Sequence, residues 1–95
     1  VSRYKLSARA IRDLGSIWDF VSIDDVDAAD RVIDKVKQQF EQLATMPRLG
    51  HKRTDLTSRR VLFWPVYSYL IVYRPASPLQ VVRVLHAKRH VRQIL

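Results

Sequence analysis

The hydrophobic pattern of this chain changes period once, at Pro47, and that change limits the folds open to it. Before it, apolar residues recur at three- and four-residue spacing, the repeat of a helix with one buried face. Ile11, Leu14, Ile17, Trp18 and Val21 make one stripe; Ala29, Val32, Ile33, Val36, Phe40 and Leu43 make a second. Ser7 precedes the first stripe as an N-cap, and that helix ends near Ser22. Asp24, Asp25, Asp27 and Asp30 cluster where the second begins. Carboxylates there accept from free N–H groups and oppose the positive end of the helix dipole. The second helix runs to about Met46, where Pro47 stops it. Two amphipathic helices joined by a few residues pack as an antiparallel hairpin.

After Pro47 the repeat is that of strands. Residues 48–60, RLGHKRTDLTSRR, are polar and read as an exposed loop. VLFWPVY, SYLIVYRP and LQVVRVLHA are rich in β-branched and aromatic residues and predict an antiparallel meander, with Pro65 interrupting its strand or placing it at an edge. Tyr4 and Leu6 alternate with polar neighbours in VSRYKLS, the pattern of a short strand. KRHVRQIL predicts one or two helical turns with Val91, Ile94 and Leu95 facing inward. The expectation is one α+β domain over residues 1–95: an N-terminal strand, an antiparallel helical hairpin packed on a small antiparallel β-sheet, and a short C-terminal helix.

Charge divides the chain at the same place. Residues 1–47 hold seven Lys/Arg against eight Asp/Glu, whereas residues 48–95 hold ten against Asp55 alone, so the second half carries all of the net charge of +8. Uncompensated like charges repel one another, which points to an acidic partner: nucleic acid, a protein surface or an acidic segment. The chain has no cysteine, which rules out disulfides and thiolate metal sites and fits a reducing compartment. Apolar runs such as YLIVY fall far short of the ~18 residues of a spanning helix. A soluble, cytoplasmic protein is expected.

YKLSARAIRDLGSIWDFVS, LATMPRLG, FWPVYSYLIVYRP and VVRVLHAKRHVRQIL, in this order and spacing, resemble the ParE/RelE superfamily of toxins from bacterial type II toxin–antitoxin modules, and within it the ParE branch. The resemblance implies the fold read above and a toxin without cofactors that inhibits DNA gyrase by binding. A cognate ParD-like antitoxin would neutralise it in a hetero-oligomer that meets operator DNA only through the antitoxin. RelE-like relatives instead cut mRNA on the ribosome, and a shared fold cannot choose between the two.

An mRNA-cleaving relative needs a base, an acid and cations around the phosphorus centre. His86, Arg83, Arg89 and Tyr73, with Lys52 from the loop, are the candidates here. The carboxylate–histidine–tyrosine and multi-lysine clusters of the nucleases are not recognisable, so a non-enzymatic toxin is expected, with the endoribonuclease as the alternative. A third reading is a degenerate toxin that acts only as antitoxin partner and co-repressor. His90 lies four residues after His86, but no third ligand accompanies the pair, and no metal site is expected.

On this reading Arg59 and Arg60, next to His51, Lys52 and Arg53, join Arg83, Arg89 and Arg92 in one continuous positive surface for the target. Trp18, Trp64, Tyr67, Tyr69 and Tyr73 are the expected antitoxin contacts. The resemblance implies an extended, partly helical antitoxin segment that combines helix-in-groove contacts with strand addition at a sheet edge. The chain departs from the ParE-branch pattern twice. Tyr67 stands where many members have a turn glycine, and Leu62 where they have a basic residue, a role left to Arg60.

Overall fold

A computed structural model of the protein describes residues 3–89 and 91–95. The pairing of His86 with His90 considered above lies outside them. The element order is β1 (Tyr4–Leu6), α1 (Ala8–Ser22), α2 (Val26–Thr45), β2 (Leu62–Val66), β3 (Tyr69–Arg74), β4 (Leu79–His86) and α3 (Val91–Ile94). The expected order and α+β class are found.

The two long helices, α1 and α2, start where their caps predict. The Ser7 side chain accepts from the Ala10 N–H, and the Asp25 carboxylate from the Ala28 N–H, contacts that each contribute about 1 kcal/mol. Ala10, Leu14 and Ile17 of α1 and Ala29, Val36, Phe40 and Leu43 of α2 are buried. Ile11, one member of the expected stripe, is 58% exposed. Ala10 takes the inward position in its place, a small residue that lets the helix approach the sheet.

The sheet order is β1-β4-β3-β2. β2, β3 and β4 form the expected antiparallel meander, and Pro65 sits in an edge strand. β1 adds to β4 in parallel, with Tyr4 opposite Leu79 and Leu6 opposite Val81, so the sheet is mixed rather than wholly antiparallel. A parallel neighbour requires a long crossover, and the helical hairpin supplies one. A bulge at Val72/Tyr73 shifts the β3–β4 register.

The two sheet faces are covered differently. The helices close one, over Leu62, Val66, Ile71, Tyr73, Leu79, Val81 and Val84. The other carries Phe63, Leu70, Val72 and Leu85, and is closed by Leu56 of the 48–60 loop and by Val91, Ile94 and Leu95. The inward residues expected of the C-terminal helix are therefore the lid of a second, smaller core. Among the described residues no helix is long and apolar enough to cross a membrane.

Candidate functional site

Cations gather at two clefts, and these open at opposite ends of β3. One, of ≈ 720 Å³, is lined at the start of β2 and the end of β3 by Arg48, Lys52, Arg53, Arg59, Arg60 and Arg74. The other, of ≈ 410 Å³, lies between α1 and the end of β4 and is lined by Asp13, Phe20, Tyr69, Arg83, His86 and Arg89, among others. Tyr69 and Arg74 are five residues apart on one strand, about 17 Å. The single positive surface expected from sequence is thus divided in two. Arg59 and Arg60 belong to the first cleft, Arg83 and Arg89 to the second. Arg92 lies in neither; its Nε donates to the Asp55 carbonyl and ties the C-terminal helix to the loop.

The second cleft is organised by Asp13. Its carboxylate accepts from Arg83 Nε at 2.8 Å and Nη2 at 3.0 Å, and from the Val84 N–H at 2.9 Å. Both side chains are about 15% exposed or less. The pair has a structural cause. β1 stops at Leu6, opposite Val81, so the outer rim of β4 beyond that point lacks a strand neighbour. α1 passes there instead, Asp13 takes the Val84 donor, and the Ser7 hydroxyl donates to the Val82 carbonyl. The bond to Asp13 holds the Arg83 guanidinium above its ordinary pKa. Arg83 therefore has a partner within the fold, unlike the other arginines expected to contact the target from these two clefts.

His86 lies beside this pair with its ring edge-on to Tyr69, at 5.5 Å between centroids. Its Nδ1 accepts from the Lys88 N–H at 3.2 Å, which puts the proton of the neutral ring on Nε2. Tyr73 lies elsewhere. His86 pairs with Tyr69, four residues up β3 from Tyr73, about 13 Å away. Tyr73 is wholly buried. Its hydroxyl donates to the Pro47 carbonyl and accepts from the Gly50 N–H, both at 2.8 Å. Burial pushes that hydroxyl up, against the opposing pull of the Gly50 N–H and the Arg48 charge. Of the four candidate nuclease residues, Arg83, His86 and Arg89 share the second cleft, whereas Tyr73 is buried away from it and offers no surface to an antitoxin.

This buried hydroxyl explains Gly50, whose role the sequence did not reveal. A Cβ there would lie 2.5 Å from the Tyr73 oxygen and 3.0 Å from the Phe63 carbonyl. Two stretches of the resemblance, MPRLG and LIVYR, thus meet in one clasp that holds Arg48 between Pro47 and Gly50.

The first cleft has fewer counter-charges. Arg53 is held by Asp55, with bonds of 3.0 and 2.8 Å, and the Arg53 guanidinium keeps that carboxyl below the usual carboxylate range. Arg48, Lys52, Arg59, Arg60 and Arg74 are exposed and make no salt bridge among the described residues. The loop bearing them is fixed at several points. His51 and Phe63 exchange backbone bonds of 2.9 and 2.8 Å, and Leu56 is packed into the second core.

The remaining aromatic candidates differ among themselves. Trp18 is half-buried and donates to Asp30 at 2.9 Å; Trp64 is half-buried, donates to Gln39 at 2.7 Å and stacks on His51. Tyr69 is half-buried. Tyr67 is 65% exposed at the β2–β3 turn and has φ 53°, a left-handed backbone that favours glycine. The outer rim of β2 is closed: the Phe63 N–H goes to His51, the Val61 N–H to Arg59, and Pro65 has none. Strand addition on this side would find no free donor.

Residues 4–91 match the family described as the ParE toxin of the type II toxin–antitoxin system, parDE. This chain belongs to the ParE toxin family. It is 29% identical over 93 residues to a protein of Sinorhizobium fredii (strain NBRC 101917 / NGR234) called "Putative toxin Y4kP", with 98% of this chain and 96% of that one covered. In fold it is similar to a chain of the chromosomal ParDE TA system from P. aeruginosa, with a TM-score of 0.75 and 18% identity, covering 92% of this chain and 97% of the other. Membership brings a plain conclusion: this is a ParE-type toxin of a toxin–antitoxin system. Among the described residues no three His, Cys, Asp or Glu are grouped as metal ligands would be.

Proposed function

We propose that this toxin acts by binding DNA gyrase, without bond chemistry of its own, and that a ParD-like antitoxin neutralises it in the cytoplasm. The observation that carries the reading is that the cleft holding His86, Arg83 and Arg89 lacks two of the groups a nuclease would need there. Tyr73 is buried about 13 Å from His86 along β3, and Arg83 is consumed by Asp13. What remains accessible is suited to contact. Lys88 and Arg89 stand exposed at one end of the sheet, and Arg59 and Arg60 at the other.

The antitoxin reading rests on apolar surface. Ile11, Phe20, Ile23 and Val26 are 54–80% exposed, and all lie on α1 or around the turn into α2. Burying such side chains stabilises a complex by about 25 cal/mol per Å² of apolar surface. An amphipathic segment laid along the hairpin beside the half-buried Trp18 supplies that cover. Supercoiling by purified gyrase, titrated with the purified chain, tests the function. Inhibition that a ParD-like antitoxin reverses is expected. Undisturbed supercoiling together with cleaved mRNA in a ribosome-dependent translation reaction would replace this reading with the endoribonuclease.

A further inference from the structure

From the cleft at the start of β2, we infer a second binding activity: it grips the sugar–phosphate backbone of a nucleic-acid duplex, independently of base sequence. Six cationic side chains line it, Arg48, Lys52, Arg53, Arg59, Arg60 and Arg74, and no carboxylate does. Asp55 meets one of them, Arg53. Guanidinium groups bind phosphate oxygens through paired N–H donors, and the hydroxyls of Thr54, Thr57 and Ser58 in the same lining add further donors.

Two features choose among anionic ligands. An acidic peptide that docks stably needs apolar anchors, but here Val61 and Leu62 are already buried, and among the described residues none of the large exposed apolar side chains lines the cleft. A single strand is held by stacking its bases on aromatic rings. Among the described residues the cleft lining contains no aromatic one. What it offers is spaced positive charge and hydroxyl donors, the complement of a backbone whose bases stay paired. The support is prearranged. The His51–Phe63 bridge, the Arg53–Asp55 pair, the Leu56 packing and the Arg92 bond fix the loop before any ligand arrives, which lowers the ordering cost of binding.

This inference does not rest on gyrase as the target; a chain that leaves supercoiling untouched would still bind duplex through this cleft. The test is fluorescence polarisation of the purified full chain with a labelled 20-base-pair DNA duplex across a salt series. Binding that weakens steeply with salt is expected. The triple variant Arg59→Ala, Arg60→Ala, Arg74→Ala should lose about tenfold or more in affinity and lower the slope of log K against log salt by about two to three. The matching triple lysine variant should keep most of the binding, and Lys88→Ala with Arg89→Ala should change little. Absence of salt-dependent binding by the parent would overturn the inference. So would an equal loss in the Lys88/Arg89 variant, which would show charge acting without regard to place. Equal affinity for the single strand, or displacement of the duplex by poly-glutamate at equal charge, would also overturn it.

Discussion

The two ends of β3 hold the same kind of residue in opposite conditions. At one end Arg83 is mostly buried and met by Asp13 through two bonds, while Asp13 also satisfies a backbone donor on the rim of β4. At the other, Arg59, Arg60 and Arg74 are exposed and lack a carboxylate partner among the described residues. An arginine paired in this way is part of the fold; one without a partner keeps its hydrogen bonds for a ligand. Charge count along the sequence does not separate the two. The position of one aspartate does.

The largest effect should follow from removing that aspartate. Asp13→Ala leaves Arg83 uncompensated and the Val84 N–H unpaired, and should cost about 3 kcal/mol in urea unfolding. Combining Asp13→Leu with Arg83→Met should recover the share due to the uncompensated charge, since an apolar pair avoids desolvating both charges, and leave the share due to the Val84 N–H. If Asp13→Ala proves neutral, the distinction between the two ends fails.

Next comes the clasp that holds Arg48 at the first cleft. Gly50→Ala forces a methyl group against the Tyr73 hydroxyl and should destabilise by about 2 kcal/mol. Tyr73→Phe leaves the Gly50 N–H and the Pro47 carbonyl without their partner, at about 1–2 kcal/mol. The two losses should not add, because they share one contact. The Tyr73 pKa is raised in the folded chain, so its contribution is full below the unfolded value of about 10 and falls as pH rises through the folded one. Urea midpoints from pH 8 to pH 11 should therefore decline less steeply for Tyr73→Phe than for the parent.

A smaller effect, of opposite sign, is expected at the tip of the β2–β3 turn. Tyr67→Gly removes a side chain from a left-handed position and should raise stability by about 1 kcal/mol, net of the entropy glycine adds to the unfolded chain. Smallest of all, Arg60→Ala and Arg74→Ala should each shift unfolding by less than about 0.5 kcal/mol. A larger loss would mean that these arginines also belong to the fold.

Most of the architecture could be read because its signals are local. Ser7, the aspartates before α2 and Pro47 each act within a few residues, and the change of period separates helices from strands. The parallel partner of β1 could not be read, because Tyr4 meets Leu79 across the whole domain and three residues of alternation carry no direction. The site was less legible for the same reason. Nothing in the polar face of α1 singles out Asp13 as the carboxylate that turns toward the sheet. Tyr73 looked like a surface aromatic because strand alternation does not say which face a hairpin of helices will cover. At Tyr67 the backbone is left-handed, a conformation that favours glycine and that no pattern of apolar residues announces.

The β2 rim has a consequence for handling the free toxin. Bare strand edges are where proteins released from a partner zip into continuous sheets. With His51 and Arg59 already holding the Phe63 and Val61 donors and a proline completing the row, that side offers a neighbouring copy no free donor. Clumping of concentrated, antitoxin-free protein should therefore begin at the greasy helical hairpin, where mild detergent can suppress it.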